Sequence, residues 1–380
     1  MLDAYDSCIK CSLCVAACPV YAVDPAFAGP KSLGPEWYRI FESGGKETDP
    51  SADSCTFCQL CEAACPVGVP VAHLIAKHKE QRPRPARVRI RDYGLTHPQW
   101  LARVPEVVLV PKVLARPAGI SVKARWPRPD RAPRGRLRSQ AGTAVGVWVD
   151  CFTRGFDGHV LEATVALLEL WGYRGIPVPD RSACCGAAAM ASGRMAGSER
   201  AAAAARNTLA GLPEGIDTLV TLNATCDATL REEWDPPLGI EVVPFAEFAL
   251  RAGGEAFFER LASVEAGESL YFHATCRSQV YRGSGAIGDL CRRSGAEATP
   301  LGIACCGAAG SYAFKREHEE VSQALGVIAR ASMGEPGSGT LLVDSGPCAV
   351  HLADLTGAQA EHPAAWLYSR FKESERQGVN

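Results

Sequence analysis

Eight cysteines in the first sixty-six residues form two copies of one spacing, and this feature constrains the fold more than any other. The first copy, CxxCxxCxxxCP, comprises Cys8, Cys11, Cys14 and Cys18, and the second, 47 residues later, comprises Cys55, Cys58, Cys61 and Cys65. Cysteines at this spacing hold a 4Fe–4S cluster, and in paired motifs the fourth cysteine binds the other cluster. The motifs therefore predict one cluster on Cys8, Cys11, Cys14 and Cys65 (site 1) and another on Cys55, Cys58, Cys61 and Cys18 (site 2).

The remaining cysteines and the absence of export signals indicate where the chain works. Its 17 cysteines stand at metal-ligand spacings rather than in a short secreted disulfide framework. The sequence opens without a basic and apolar leader, and no run approaches the roughly 20 apolar residues that cross a membrane. We therefore expect a cytoplasmic protein whose thiols hold metal in a reducing compartment.

The first 140 residues divide by composition into two regions. Residues 1–79 contain both cysteine motifs and are predicted to form a helical, ferredoxin-like domain, stabilised largely by its clusters because so small a domain has little core. Residues 80–140 are rich in Pro and Arg, and residues 81–140 contain 15 Lys and Arg but only three acidic residues. This composition is typical of a linker between folded domains.

The centre of the linker has two interpretations. Within residues 98–118, apolar residues recur at helical spacing beside basic ones, a pattern that fits peripheral contact with an anionic membrane surface or with a membrane protein. On this interpretation the protein lies on the inner face of the cell membrane. The alternative is a solvated linker that wraps around its own protein. Nucleic acid is not an expected partner, because no recognition helix, zinc finger or stacking motif accompanies the charge.

From residue 141 onward, apolar strands alternate with helices, and the pattern occurs twice. Residues 141–265 (lobe 1) and residues 266–380 (lobe 2) each contain a strand ending near a cysteine, then Cys-Cys-Gly, then a later strand followed by another cysteine. This alternation predicts parallel sheets covered by helices. The predicted fold class is therefore an α+β arrangement: a helical two-cluster ferredoxin-like domain followed by two duplicated α/β lobes.

Four cysteines of each lobe are predicted to meet at one place. The carboxyl ends of parallel strands face a common crevice, and glycine beside paired thiolates lets the backbone approach sulfur. The two predicted sets are Cys151, Cys184, Cys185 and Cys226 in lobe 1, and Cys276, Cys305, Cys306 and Cys348 in lobe 2. Each set suits an iron–sulfur centre or, alternatively, a structural zinc ion. His273 is a candidate ligand or orienting group at the second centre, whereas Cys291 is expected to be a core residue.

These features resemble the iron–sulfur proteins that join a two-cluster ferredoxin domain to duplicated CCG (cysteine-rich) domains, in particular the C subunits of anaerobic glycerol-3-phosphate dehydrogenases. The resemblance covers nearly the whole chain. Its most specific motifs are Cys8-Ile9-Lys10-Cys11, Gly29-Pro30-Lys31, Cys305-Cys306-Gly307 with Gly310-Ser311-Tyr312 and Phe314-Lys315, and Glu361-His362-Pro363. The chain is also similar to the iron–sulfur proteins of glycolate and lactate oxidation and to the B and D subunits of heterodisulfide reductase.

The resemblance implies a function in electron transfer. Two 4Fe–4S clusters and one or two further centres in the lobes would accept electrons from a flavoprotein dehydrogenase subunit and pass them toward membrane quinone. The sequence has no flavin-binding signature, so another polypeptide is expected to oxidise the substrate. The alternatives are a heterodisulfide-reductase-like protein that reduces a disulfide or quinone, and an iron–sulfur component of glycolate or lactate oxidation. In the heterodisulfide reductases, a terminal CxxC supplies the fifth cysteine of a noncubane cluster, but Asn223 and Ser345 stand at its first position here.

Overall fold

The structure, a computed structural model, describes residues 2–97, 115–132, 142–178, 184–264, 269–283, 285–333 and 337–378. The N-terminal domain is helical. Its α-helices are α1 (Leu13–Ala16), α2 (Pro19–Val23), α3 (Trp37–Glu42), α4 (Leu60–Ala63) and α5 (Val71–Gln81). Shorter 3-10 or π segments lie at Leu2–Ser7, Ser32–Glu36 and Pro50–Ser54. Helices α1 and α4 each carry the third cysteine of a motif.

Helix α5 lies at the centre of this domain. It ends at Gln81, and Arg82 is extended because the following Pro83 disfavours helical backbone. Leu74 and Ile75 on this helix are almost completely buried. They share one apolar core with the thiols of Cys14 and Cys61, so the cysteine loops are part of the core rather than appendages to it.

Two parallel four-stranded sheets follow, and they have the same topology. The strands of lobe 1 are β1 (Thr143–Trp148), β2 (Tyr173–Val178), β3 (Thr218–Thr221) and β4 (Glu241–Pro244), in the order β2-β1-β3-β4. Those of lobe 2 are β5 (Leu270–His273), β6 (Ala298–Pro300), β7 (Thr340–Val343) and β8 (Gln359–Glu361), in the order β6-β5-β7-β8. All pairings within these sheets are parallel. The prediction of a helical domain followed by two α/β lobes is confirmed.

Helices cover both sheets. Before and within lobe 1 these are α6 (Ala86–Leu95), α7 (Thr153–Phe156), α8 (Gly158–Leu170), α9 (Ala187–Ala191), α10 (Met195–Ala210), α11 (Ala224–Ala228), α12 (Phe245–Ala252) and α13 (Gly254–Ala262). In lobe 2 they are α14 (Cys276–Tyr281), α15 (Ala286–Arg293), α16 (Glu319–Ala331), α17 (Gly346–Thr356) and α18 (Pro363–Arg376). Short 3-10 or π segments lie at Thr229–Glu233, Tyr312–Phe314 and Arg316–His318. None of the helices among the described residues is long and apolar enough to cross a membrane.

The two lobes form one body. Leu161 and Leu168 of α8 belong to the same buried core as Leu367 and Phe371 of α18, so the last helix of lobe 2 packs against lobe 1. The backbone N–H of Ala224 also donates a hydrogen bond to the carbonyl of Asp344, at 2.9 Å. Since each of these residues follows the third strand of its sheet, the two sheets present corresponding edges to each other.

The predicted linker is more ordered than its composition suggests. Ala86–Leu95 form helix α6, and the Asp92 carboxylate on it is buried between three cations: Arg84 at 3.2 Å, Arg91 at 2.8 Å and Lys315 at 3.3 Å. Lys315 belongs to lobe 2, so this ion-pair cluster fixes the start of the linker to that lobe. Most of the segment predicted to contact a membrane, residues 98–118, lies outside the described residues; only residues 115–118 are within them.

Candidate functional site

The two cysteine loops share an unusual backbone conformation. Lys10, Ser12, Phe57 and Gln59 have φ values of 59°, 65°, 57° and 63°, and they occupy matching positions on either side of the second cysteine of each motif. Left-handed backbone costs a non-glycine residue roughly 1–2 kcal/mol, and such strain is concentrated at functional sites. Only one other non-glycine residue in the described ranges has positive φ, Ala309, which follows Cys-Cys-Gly of lobe 2. Both loops are therefore candidate binding loops.

Site 1 brings its four predicted cysteines together, including the one from the second motif. Burial raises the pKa of Cys14, and the neighbouring thiols of Cys8, Cys11 and Cys65 raise it further. The N–H of Val69 donates a hydrogen bond to the sulfur of Cys65 at 3.3 Å. Cys11 is exposed. One edge of site 1 therefore reaches the surface of the protein.

Site 2 is deeper. Its four predicted cysteines, Cys18, Cys55, Cys58 and Cys61, line one small cavity. Burial raises the pKa of Cys18 to about 12, and it raises those of Cys58 and Cys61 well above the usual thiol value. Backbone N–H groups point at two of the sulfurs, from Tyr21 to Cys18 at 3.5 Å and from Phe57 to Cys55 at 3.4 Å. These thiols would have to lose their protons as they bind a metal centre.

The lobe cysteines also form the two predicted sets. In lobe 1, Cys226 donates a hydrogen bond to Cys185 across 3.2 Å, and Cys151 is hydrogen-bonded to Cys184. In lobe 2, a hydrogen bond from Cys276 lowers the pKa of Cys305 to about 7. Cys306 is hydrogen-bonded to Cys348 in turn. The four cysteine sulfurs of each lobe thus lie next to one another.

The glycine of each Cys-Cys-Gly motif has the structural role that the sequence predicted. Gly186 and Gly307 have φ values of 93° and 82°, and their N–H groups each donate to a cysteine sulfur at 3.4 Å, Gly186 to Cys184 and Gly307 to Cys305. A Cβ on Gly307 would lie 2.7 Å from the Ser322 carbonyl oxygen. Glycine therefore permits both the left-handed turn and the close packing that direct the amide at sulfur.

All eight lobe cysteines line a single cavity of about 120 Å³ between the two lobes. Aromatic rings form much of its wall: Phe57, Trp126, Phe152, Phe156 and Phe314. The sequence predicts one crevice in each lobe, but it does not predict that the two crevices are the same space. The two sets of cysteines therefore face a shared, largely apolar interior, which we refer to as the interlobe cavity.

Site 2 adjoins this interlobe cavity. Thr56, which separates Cys55 from Phe57, lines both the cavity of site 2 and the interlobe cavity. Thr56 also lies beside Cys305, and Cys58 is an electrostatic neighbour of both Cys305 and Cys276. Only the width of one loop separates site 2 from the lobe 2 cysteines.

Other residues singled out in the sequence have different surroundings. His273 is buried and does not line the interlobe cavity, and burial lowers its pKa to about 4, so it is neutral at physiological pH. Cys291 is completely buried in the core, as its isolation in the sequence suggests. Asn223 and Ser345 both line the interlobe cavity and occupy matching N-cap positions. The Asn223 side chain accepts a hydrogen bond from the Thr225 N–H at 3.0 Å, whereas Ser345 forms no such cap bond.

Several residues of the site were not anticipated from the sequence. Arg277, directly after Cys276, is buried in the cavity wall and forms an ion pair with Glu233 of lobe 1. Lys79 is buried beside site 2, where it donates to the carbonyls of Cys55 and Ala191, both at 2.7 Å. The sequence gives no signal for these positions, because 40 Lys and Arg are spread along the chain and burial depends on how the domains pack.

The residues at these sites fit iron–sulfur chemistry. Each set offers four thiols, and backbone N–H groups directed at sulfur are the kind of outer contact that stabilises thiolate ligands. The strained loops of sites 1 and 2 supply a cradle for a bound group. Among the described residues, no three Cys, His, Asp or Glu side chains converge at the spacing expected for a single metal ion.

Comparison with protein families divides the chain at the same places. Residues 4–69 match the 4Fe-4S dicluster domain, and residues 145–231 and 270–353 each match the cysteine-rich CCG domain. The N-terminal match and the paired lobe matches thus cover the regions that contain the four cysteine sets.

Curated relatives show similarity beyond single domains. The chain is 26% identical to the C subunit of anaerobic glycerol-3-phosphate dehydrogenase of Escherichia coli, from both strain K12 and O157:H7, over 96% of its length and 98% of the relative. It is 31% identical to the B subunit of fumarate reductase (CoM/CoB) of Methanothermobacter marburgensis, over 28% of this chain and 21% of that protein. The domain matches and the end-to-end similarity place this chain in the family of CCG-domain iron–sulfur proteins.

Proposed function

We propose that this chain is the iron–sulfur electron-transfer subunit of a flavoprotein dehydrogenase complex of the glycerol-3-phosphate dehydrogenase type. The observation that carries the proposal is the succession of cysteine sets from the surface to the interlobe cavity. Site 1 has an exposed edge at Cys11, site 2 is buried, and Thr56 lies between site 2 and Cys305 of lobe 2. Such a succession suits the passage of electrons from an external donor into the protein.

The clusters and the protein would have different roles in this electron transfer. Iron–sulfur clusters bound at these cysteines would supply one-electron carriers, which accept the two electrons of a reduced flavin in separate steps. The protein holds the sulfurs, excludes water from site 2 and the lobe sets, and directs N–H groups from Phe57, Val69, Gly186 and Gly307 at sulfur. Burial and hydrogen bonds of this kind set the potentials of such centres.

The number and type of centres are part of the proposal. We assign 4Fe–4S clusters to sites 1 and 2, and one or two further centres to the lobe sets. With Asn223 and Ser345 in place of a fifth cysteine, four thiols remain in each lobe. Iron analysis should give about twelve to sixteen irons per chain for this assignment. A value near eight together with bound zinc would instead indicate structural zinc in the lobes.

Cys8→Ser tests the relay itself. The complex of the variant with its flavoprotein partner should still oxidise substrate with an artificial dye but should no longer reduce the natural acceptor, because site 1 has lost a ligand. Cys291→Ala is the matched control, since Cys291 lies in the core outside all four sets and should leave both activities intact. Reduction of the natural acceptor at the normal rate by Cys8→Ser would contradict the relay.

The acceptor side of the proposal is membrane quinone, with peripheral contact at the inner membrane face through residues 98–118. The basic charge of the linker supports this contact, because anionic lipids attract basic segments. Deleting residues 98–118 should move the protein from the membrane fraction to the soluble fraction of cells. Unchanged partitioning would leave the segment as a linker only.

The interlobe cavity favours a second candidate function, reduction of a disulfide or quinone at the lobes themselves. A partly enclosed, aromatic cavity between eight thiols is a place where a small acceptor could bind. The test supplies the isolated chain with a reduced viologen dye and measures disulfide or quinone reduction. Turnover that survives Cys8→Ser but is lost in Cys305→Ser would establish catalysis at the lobes, whereas absence of turnover would restrict the chain to electron transfer.

A further inference from the structure

Arg277 occupies the junction of all three domains. It follows Cys276 of the lobe 2 set and lines the interlobe cavity, and only 3% of its surface is exposed. Its guanidinium carbon lies 5.9 Å from the ring centre of Phe57, which is in the cysteine loop of site 2. The guanidinium therefore lies at the boundary between site 2 and the lobe 2 cysteines.

One side of this guanidinium is bound and the other is free. Nη2 donates to the Glu233 carboxylate and lies 3.5 Å from the Thr229 hydroxyl. Nε and Nη1 are buried and have no hydrogen-bond partner among the described residues. Burying a polar N–H without an acceptor costs about 1–3 kcal/mol, so two such groups in one side chain indicate that an acceptor belongs in the cavity.

The bound side is firmly fixed. Glu233 also accepts a hydrogen bond from Gln59 at 2.9 Å, and Gln59 accepts one from Tyr281 at 3.1 Å. Burial by itself would raise the pKa of Glu233, but the Arg277 charge opposes this effect and the pKa lies below its usual value. Glu233 does not line the interlobe cavity. Arg277 therefore presents positive charge to the cavity, and its counter-charge stands outside the cavity wall.

We infer that the free N–H groups and the positive charge of Arg277 serve the centre held by the neighbouring lobe 2 cysteines, and that they make this centre easier to reduce than it would be without Arg277. The inference rests on the proposed relay function. A fixed positive charge in an apolar surrounding stabilises whichever state of a neighbouring centre is more negative, which is the reduced state. Hydrogen bonds to sulfur and local charge are the factors by which proteins set iron–sulfur potentials.

Arg277 would assist the transfer of one electron from site 2 to lobe 2. In the proposed relay, one electron would leave the centre held at site 2 and one would arrive at the centre held by the lobe 2 cysteines, so no bond forms or breaks. The fixed guanidinium, whose counter-charge on Glu233 lies outside the cavity lining, would offset part of the added negative charge. Arg277 is thus a positioning residue that favours transfer from site 2 toward the lobes.

The experiment compares Arg277→Gln and Arg277→Lys in the full-length chain, purified without oxygen and loaded with iron. Potentials are measured by redox titration with electron paramagnetic resonance. In Arg277→Gln, the equilibrium constant for moving an electron from site 2 to lobe 2 should fall at least about tenfold, which corresponds to about 59 mV for one electron. Arg277→Lys should shift less, because it keeps the charge but loses the guanidinium donors.

Arg282→Gln is the matched control. Arg282 also joins the lobes, through Asp227 and Glu247 at 3.1 Å each, but it does not line the interlobe cavity. Its loss should leave the lobe 2 potential unchanged. If Arg277→Gln fails to fold because Glu233 is left unpaired, the double variant Arg277→Gln/Glu233→Gln removes the stranded carboxylate and should show the same shift.

Several results would overturn the inference. These are an unchanged lobe 2 potential in a folded, iron-loaded Arg277 variant, an equal shift in Arg282→Gln, and the absence of any redox signal from lobe 2 in the unmodified protein. A raised KM for the acceptor with unchanged potentials would assign Arg277 to substrate binding instead, and would also overturn it. Failure of the relay is distinct, since it would appear as natural-acceptor activity in Cys8→Ser.

Discussion

Replacing Gly307 with alanine should weaken lobe 2 and loosen its centre together. Gly307 has a φ of 82°, where an alanine residue pays roughly 1–2 kcal/mol for left-handed backbone. Its new Cβ would lie 2.7 Å from the Ser322 carbonyl oxygen and 3.2 Å from Leu325 Cβ. These neighbours belong to helix α16, so relief requires movement of a helix, and such overpacking costs about 1–3 kcal/mol. The expected loss of stability is therefore about 2–5 kcal/mol.

Gly302→Ala separates the steric contribution from the backbone contribution. Gly302 has a similar φ of 63°, but no atom lies within 4 Å of the place where its Cβ would be. Its substitution should cost only the backbone strain, about 1–2 kcal/mol. The two variants thus differ by the overlap with helix α16 alone.

The assay is denaturant unfolding under anaerobic conditions, with iron content measured on the same samples. Gly307→Ala should unfold at a lower denaturant concentration than Gly302→Ala, and it should lose iron first, because the Gly307 N–H donates to Cys305. Equal midpoints and equal iron content in the two variants would refute this account of the Cys-Cys-Gly motif.

Three further predictions follow from buried charges and from the order of the sites. Asp92→Asn should destabilise the protein by about 3–5 kcal/mol in denaturant unfolding, because it leaves three cations without their shared carboxylate. Burial lowers the pKa of His273 to about 4, so the unfolded chain takes up a proton below about pH 6.5 that the folded protein does not bind. The wild type should therefore lose about 1.4 kcal/mol more stability than His273→Phe between pH 7.5 and pH 5.5; equal losses would contradict this. Cys276→Ser should leave sites 1 and 2 reducible by the flavoprotein but block the lobes, whereas Cys151→Ser should leave lobe 2 reducible, as electron paramagnetic resonance can show.

The sequence was most informative where function depends on local spacing. The later strand that the sequence predicts ahead of Cys348 is observed as Thr340–Val343, because it is a short apolar run between clear turn signals. Strand Tyr173–Val178 was missed, since Gly175 and Pro177 interrupt its apolar pattern and its pairing with β1 stabilises it instead. Helix Ala86–Leu95 was missed for a related reason: its basic composition indicates a linker, and ion pairs with other domains hold it in place.

The relation between the sites could not be predicted, because it depends on contacts between residues far apart in the chain. Nothing near Cys58 in the sequence indicates that Cys305 lies beside it, and nothing near Gln59 indicates its hydrogen bond to Glu233. The hydroxyl of Tyr312 donates to the Ser54 carbonyl at 2.9 Å and joins lobe 2 to the same loop. These contacts arise only when the N-terminal domain packs against folded lobes.

The duplicated lobes therefore have different surroundings although they share one topology. Lobe 2 contacts site 2 through Cys305 and Thr56, and it contributes Arg277 to the interlobe cavity. The lobe 1 cysteines face the same cavity from the other side, where His97 is an electrostatic neighbour of Cys184. Because electron transfer slows steeply with distance, the proposed relay would pass an electron from site 2 to lobe 2 before lobe 1. The duplicated lobes thus offer two similar cysteine sets, and packing against the N-terminal domain places only the lobe 2 set beside site 2.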